Sequence, residues 1–298
     1  MNLLEGKGFI KTISFLLTGL LAVTLLLYIV PDNLVAQGEL EPVIKVLDER
    51  DKDVPYVPTP EEIVDKMLTI ADVGPGDYVI DLGSGDGRIV IAAAGKDAVG
   101  HGVDIDEELV IESRRNAKKA GVDDRVVFLK ENIFTTDISK ASVITMYLLS
   151  SVNKRLRPRL LDELKPGTRV VSHSFDMDEW KPDKTFDVQD DDGNSHYIYY
   201  WITPADAVGA WNWTVNGDDF AAAISQEFQE ITVELARGSS EAGVTNAVLR
   251  GKRISFMADF GETKHVYSGE IENDQITGTV QVRSGDEHTV KSWHATTK

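Results

Sequence analysis

Val79-Ile80-Asp81-Leu82-Gly83-Ser84-Gly85-Asp86-Gly87-Arg88 is the most informative stretch of the chain. Tyr78 to Leu82 is a short apolar run bounded by turn residues, the pattern of a buried strand, and Arg88 to Ala94 begins a helix. Between them stand glycines 83, 85 and 87. Glycines let a backbone approach a ligand closely, and a helix start supplies unpaired N–H groups. A dinucleotide fingerprint reads G-x-G-x-x-G, whereas the spacing here is G-x-G-x-G, with Arg88 where the third glycine would fall. Asp81, ahead of the glycines, suits a zwitterionic ligand with an amino or sulfonium charge.

Downstream, Val103-Asp104-Ile105-Asp106 ends a second strand expected over Gly100 to Ile105. Asp104 lies 21 residues past Gly83, where an acidic residue can accept both hydrogens of a ribose diol. Glu131-Asn132-Ile133 follows a third strand, Val126 to Leu129, and the Asn132 amide can pair with a base edge. Three successive strand ends then hold amino acid, ribose and base, outside the carboxyl ends of the strands as ligands in open α/β sheets do. Helices are expected at Glu107 to Ala120 and Val152 to Leu164, the latter broken or restarted at Pro158, and strands at Ser142 to Leu148 and Thr168 to Ser172. A hairpin, Phe186 to Gln189 and His196 to Ile202, turns through Asp190-Asp191-Asp192-Gly193-Asn194. Upstream, Thr59-Pro60-Glu61-Glu62 reads as a helix start with Thr59 as the cap. Strands alternating with helices imply a parallel sheet covered on both faces.

After Pro204 the helical period disappears. About eight short strands between 211 and 295, separated by Asn216-Gly217, Arg237-Gly238, Arg250-Gly251, Gly261, Asn273-Asp274 and Ser284-Gly285-Asp286, predict a small antiparallel barrel or sandwich. Gly209-Ala210-Trp211 at its start resembles lipocalin-like barrels. The roles open to it are substrate recruitment, assembly, or holding an apolar ligand. Trp201, Trp211 and Trp213 are expected in core or interdomain packing.

At the other end, Ile13 to Val30 is an uncharged run of 18 residues preceded by Lys7 and Lys11. Its length meets the lower limit for a bilayer-spanning helix and exceeds a usual signal core. A retained anchor is expected, with a signal cleaved near Ala36 as the alternative. Basic residues before the span and Asp32, Glu39 and Glu41 after it favour an extracytoplasmic location for the rest. The expected organisation is an anchor or signal over 1–36, a linker over 37–54, an α/β domain over 55–203 and an all-β domain over 204–298.

The 298 residues carry 31 Lys+Arg against 49 Asp+Glu, a net charge of -18, which disfavours nucleic acid as the main partner. The absence of cysteine excludes disulfides, thiolate metal sites and a Cys nucleophile. The six histidines show no zinc spacing, and the acidic run 190–193 lacks the ligands of a calcium loop, so no metal is expected.

With loop, ribose acid and base contact in this order, the segment from about Val54 to Thr203 resembles the seven-stranded S-adenosylmethionine-dependent methyltransferases. Within them it is similar to the protein lysine methyltransferases that include a broad-specificity archaeal enzyme and the mitochondrial enzyme acting on the ATP synthase c subunit. Val54-Pro55-Tyr56-Val57-Pro58-Thr59-Pro60, Asp81 to Val90, Val143-Ile144-Thr145-Met146-Tyr147-Leu148-Leu149 and Gly167-Thr168-Arg169-Val170-Val171-Ser172-His173 carry the likeness. The resemblance implies a Rossmann-like seven-stranded sheet, S-adenosyl-L-methionine as cofactor and methyl transfer to a protein lysine amine. A small-molecule or lipid methyltransferase, or an inactive binding protein on the same fold, are the alternatives. The expected cofactor-binding residues are Tyr56, Thr59, Asp81, Gly83, Ser84, Gly85, Asp104 and Asn132. Tyr147 is the candidate for the acceptor channel, and His173 for proton removal near neutral pH. The Asn/Asp-Pro-Pro-Tyr signature of amide and adenine amino methylation is missing; Thr145-Met146-Tyr147-Leu148 stands in its place.

Overall fold

The computed structural model describes residues 56–297. The expected span at 13–30 lies outside the described residues, among which no helix is long and apolar enough to cross a membrane. The α/β part comprises α1 (Glu61–Ile70), β1 (Tyr78–Leu82), α2 (Arg88–Ala94), β2 (Val99–Asp104), α3 (Glu107–Ala120), β3 (Val126–Lys130), β4 (Val143–Met146), α4 (Ser150–Glu163), β5 (Arg169–His173), β6 (Lys184–Gln189) and β7 (Ser195–Ile202). Its sheet runs β3-β2-β1-β4-β5-β7-β6. Only β7 is antiparallel to its neighbours. The order reverses at β1, between β2 and β4, so a crevice opens at the carboxyl ends of these strands.

The helices follow local rules. α1 buries Ile63, Val64, Met67 and Leu68 on one face. α3 starts at Asp106, whose side chain accepts from the Glu108 N–H, and ends at Gly121 in the left-handed region, with Lys118 and Lys119 in its last turn. Two expectations need correction. Thr59 does not cap α1: Pro60 takes that place, and the Thr59 hydroxyl turns inward. Nor does Pro158 break its helix, for α4 is continuous through it. Neighbours pin α4 on both sides of the proline: Arg157 donates to the Met177 carbonyl, and Arg159 to the carbonyls of Ile133 and Thr136. These contacts and the buried Val152, Leu156 and Leu160 outweigh the one backbone hydrogen bond that proline removes.

The remaining strands are β8 (Gly209–Val215), β9 (Asp218–Glu227), β10 (Glu230–Arg237), β11 (Ser240–Glu241), β12 (Gly243–Arg250), β13 (Arg253–Asp259), β14 (Lys264–Glu272), β15 (Gln275–Ser284) and β16 (Glu287–Thr297). They form a nine-stranded antiparallel sheet ordered β11-β10-β9-β8-β16-β15-β14-β13-β12. β10 also approaches β12, so the sheet curls into a nearly closed barrel. Trp213, Phe220, Phe256, Tyr267 and Trp293 fill its interior, with neighbouring ring centroids as close as 4.8 Å for Phe256 and Tyr267. Side chains thus occupy the inside, as in small barrels with a packed core.

The barrel is fastened to the α/β part by a small joint. Phe228 faces the ring of Trp180, with centroids 6.4 Å apart, and the Arg157 guanidinium lies 5.3 Å from the Phe228 ring centre. Trp180 Nε1 donates to Gln229 Oε1 at 2.9 Å, and Gln229 Nε2 donates to the Lys181 carbonyl at 2.8 Å. The Ala205 N–H donates to the Gly251 carbonyl, and Gly251 packs close to Gly167. Trp201, fully buried, belongs to the α/β core, where its Nε1 donates to the Trp180 carbonyl.

Candidate active site

A cleft opens at the carboxyl ends of β1, β2 and β4. Its lining includes Tyr56, Thr59, Asp81, Gly83, Ser84, Asp104, Asn132 and Tyr147. Eight of the ten residues expected from sequence therefore meet at one cavity. The other two sit just behind it: Gly85 under Tyr56, and His173 behind Tyr147.

Asp81 is the penultimate residue of β1 and is 2% exposed. Its Oδ1 accepts from the Thr145 hydroxyl at 2.7 Å. Burial, reinforced by the nearby charges of Asp104 and Asp86 and opposed by the Thr145 hydrogen bond, pushes its carboxyl up to about 7. Asp104 ends β2 and receives two backbone N–H groups at 2.9 Å, Gly85 at Oδ2 and Asp106 at Oδ1. Each oxygen keeps a second lone pair, so the carboxylate is held rigidly and still accepts hydrogen bonds. Asn132 Oδ1 accepts from the Phe134 N–H, which fixes the amide at the wall and leaves its Nδ2 as the donor. Ile105, Leu109, Ile133 and Phe134 supply flat apolar surface around it.

The glycine turn is shaped by close approach. A Cβ on Gly85, whose φ is +53, would stand 2.3 Å from the Tyr56 ring. Tyr56 and Thr59 belong to a strap that crosses the turn, and Arg88 ties it down. The Arg88 guanidinium grips Asp86, with Nη2 to Oδ2 at 2.7 Å, and its Nη1 donates to the Thr59 carbonyl at 2.8 Å. Charge and hydrogen bonds from Arg88 hold Asp86 below the usual carboxylate range, against its partial burial. The residue that spoils the dinucleotide spacing is therefore the one that anchors the strap. Sequence reasoning saw its position but not this role, because its partner is a backbone carbonyl 29 residues away.

At the other wall, Tyr147 follows β4. Its ring lies on His173, with centroids 3.9 Å apart and planes at 37°, and faces Phe175 at 6.1 Å. His173 is fully buried, with Nδ1 at 3.1 Å from the Thr59 hydroxyl and Nε2 at 2.9 Å from His196 Nδ1. Burial, and then the neighbouring His196, push His173 down to about 4. It is a neutral imidazole with both nitrogens engaged, so it does not meet an acceptor directly at neutral pH.

Whether S-adenosylmethionine fits is tested by the chain's own unpaired groups. Ser84 Oγ is buried in the glycine turn without a hydrogen-bond partner. Asp104 offers two anchored acceptors, Asp81 a carboxyl for a cationic centre, and the apolar wall a seat for a flat base. Amino, ribose and base groups each find a partner of the right polarity, so the residues fit this cofactor.

Comparison with known proteins agrees with the geometry. Residues 81–184 match the family described as the ANTKMT methyltransferase domain. A protein-lysine N-methyltransferase of Saccharolobus islandicus is 50% identical over 153 residues, covering 50% of this chain and 93% of that protein. The Mus musculus lysine N-methyltransferase named for the ATP synthase c subunit is 32% identical over 132 residues, 44% of this chain and 53% of the mouse protein, so the chain spans about half of that relative's length. Among solved structures, an RNA methyltransferase from Salinibacter ruber in complex with S-adenosyl-L-homocysteine shows 52% identity and a TM-score of 0.48, over 50% of this chain and 95% of that one. A match of 50% identity over nearly the whole archaeal protein settles the relationship: this chain belongs to the same family of S-adenosylmethionine-dependent methyltransferases as that protein-lysine N-methyltransferase, and its residues 81–184 carry the ANTKMT methyltransferase domain.

Proposed function

We propose that the chain N-methylates lysine side chains of a protein substrate. The observation that carries this reading is the match to nearly all of the archaeal protein-lysine N-methyltransferase. When bound, S-adenosylmethionine supplies a methyl carbon made electrophilic by its sulfonium. The chain's residues then have three tasks. Asp104, Asn132 and the glycine turn bind and orient. Tyr56, tied through the strap to Arg88, covers the turn and excludes water. Tyr147 presents an aromatic face at the cavity wall, which favours a lysine ammonium through its ring quadrupole before the proton is lost. Displacement at carbon needs alignment more than covalent chemistry, and these side chains are positioned by strand ends and buried hydrogen bonds.

The experiment is transfer of labelled methyl from S-adenosylmethionine to poly-L-lysine and to extracted membrane and soluble proteins, followed by acid hydrolysis and amino-acid analysis. Label in methyllysine supports the reading. Label found only in lipid, in small molecules or in a bulk RNA control overturns it. The uncharged run at 13–30 further supports attachment to a membrane, which carbonate extraction of the full chain tests.

A further inference from the structure

The hydrogen bond between Thr59 and His173 is the first link of a longer chain. Thr59 Oγ1 meets His173 Nδ1 at 3.1 Å, His173 Nε2 meets His196 Nδ1 at 2.9 Å, and His196 Nε2 meets Asp190 Oδ2 at 3.1 Å. Thr59 lines the cleft, His173 is fully buried, His196 is part-buried, and Asp190 stands in the surface turn between β6 and β7. A continuous row of hydrogen bonds thus runs from a residue of the cleft lining to the β6–β7 turn, where the His196 side chain is 17% exposed.

The row also has a direction. The Asp190 carboxylate accepts from the Asn194 N–H and side-chain amide as well as from His196, and these contacts hold it down at about 2. An ionised carboxylate can only accept, so His196 carries its proton on Nε2. In the neutral ring Nδ1 is then bare, and His173 must donate from Nε2. His173 Nδ1 is bare in turn, and the Thr59 hydroxyl must donate to it. Every proton points away from the cleft, and the hydroxyl oxygen of Thr59, a residue of the cleft lining, keeps its acceptor lone pairs.

We propose that Thr59, His173, His196 and Asp190 form a one-way proton wire that deprotonates the acceptor amine before methylation. The proposal rests on the lysine reading above. An N–H bond of the acceptor ammonium breaks and an O–H bond forms at Thr59, whose own proton passes to His173 Nδ1. The His173 Nε2 proton passes to His196 Nδ1, making an imidazolium paired with Asp190. His196 then releases a proton to water, and rotation or exchange resets the row. No oxidant or metal is needed, and the neutral amine is left with its lone pair. His173 and His196 act through Thr59 and are relay rather than catalytic residues. The titratable groups facing the row are Tyr147 over His173 from the end of β4, Asp190 from the turn, and Glu62 from α1, whose carboxylate accepts from the Asp191 N–H.

The test has two readouts. Full-length protein labelled with 15N-histidine, with His173→Gln and His196→Gln for assignment, reports the tautomers at pH 8 without cofactor. The wire requires both rings protonated on Nε2, and an Nδ1–H tautomer at either residue overturns it. Correct tautomers without methyllysine in either poly-L-lysine or the extracted proteins overturn the lysine reading, and with it the amine-deprotonating role. Where transfer occurs, Thr59→Val should slow it about 100-fold at pH 7.5, the range of one lost acid–base group, and Thr59→Ser should restore it. The deficit should shrink about tenfold per pH unit towards the amine's own pKa of about 10.4, because the free amine no longer needs the wire. A deficit that is the same at pH 7.5 and 9.5 marks a packing role and overturns the proposal.

Discussion

Asp81→Asn should stabilise the protein in the absence of cofactor while weakening the binding of S-adenosylmethionine. The carboxyl is buried and held at about 7, against an ordinary value of 3.8. Between those values the folded state keeps a proton that the unfolded chain has released, so stability falls as pH rises through this window and levels off above it. A rise of this size corresponds to about 4 kcal/mol, a ceiling on the cost of ionising this residue in the fold. Asparagine keeps an acceptor for the Thr145 hydroxyl and carries no charge. Relative to wild type, the variant should gain about 2 kcal/mol between pH 5.5 and pH 8.5, the part of the window that lies above 5.5. That is roughly 4–8 °C in Tm for a protein of this size. Thermal unfolding of the two proteins across that range is the assay. His173, whose neutral form is favoured by burial, titrates alike in both and cancels in the difference. A gap that does not change with pH would refute the buried, proton-linked carboxyl. Calorimetric titration adds a second check. Cofactor affinity of wild type should rise with pH up to about 7, as Asp81 ionises to meet a cationic ligand, and this slope should vanish in the variant.

Three further outcomes are expected. Asp104→Ala removes the acceptor of the Gly85 and Asp106 N–H groups and both ribose partners, so cofactor affinity should fall by roughly 3 kcal/mol, over a hundredfold, with an unchanged circular dichroism spectrum. Gly85→Ala puts a methyl group within 2.3 Å of the Tyr56 ring at a positive φ, so Tyr56 must swing off the turn; quenching of Tyr56 fluorescence by cofactor should be lost while the melting temperature drops by only the equivalent of about 1–2 kcal/mol. Phe228→Ala empties the joint between barrel and α/β part, with an expected loss of about 1–3 kcal/mol, less than for a fully buried phenylalanine; calorimetry should find cofactor affinity intact, and a large affinity loss would show that barrel and cleft are coupled.

Much of the fold was legible because its signals are local. The strand at Tyr78–Leu82 and the helices at Arg88–Ala94 and Glu107–Ala120 are fixed by short apolar runs, glycines and caps, and their bounds agree with the structure. The eight long strands of the barrel were equally readable from their regular spacing and turn residues; the two-residue strand Ser240–Glu241 was not, since it is defined by a partner rather than by a pattern. Much of the cofactor side of the cleft was legible for the same reason, as Asp81, the glycine turn, Asp104 and Asn132 stand at or just after the ends of β1, β2 and β3. What escaped were side chains whose meaning depends on distant partners. Thr59 reads as a helix cap until His173, 114 residues away, is seen to take its hydroxyl. Asp190 reads as a turn residue until His196 is seen beside it. Pro158 reads as a helix breaker because propensity cannot register the arginines that clamp α4 around it.

The barrel's joint has a mechanical consequence. Gly251 packs on Gly167 at the foot of β5, and Trp180 meets the barrel beside Trp201, whose register partner Val170 is the second residue of that strand. His173 and the Tyr147 wall lie at the strand's opposite end. Five residues of parallel strand put about 13 Å between these two levels. The molecule is therefore polar in the geographer's sense, with chemistry at one pole and a second fold moored at the other. A partner that grips the barrel at this joint would present its methylated side chain about that far from its grip, so reach, as much as local sequence, would set which residue is modified.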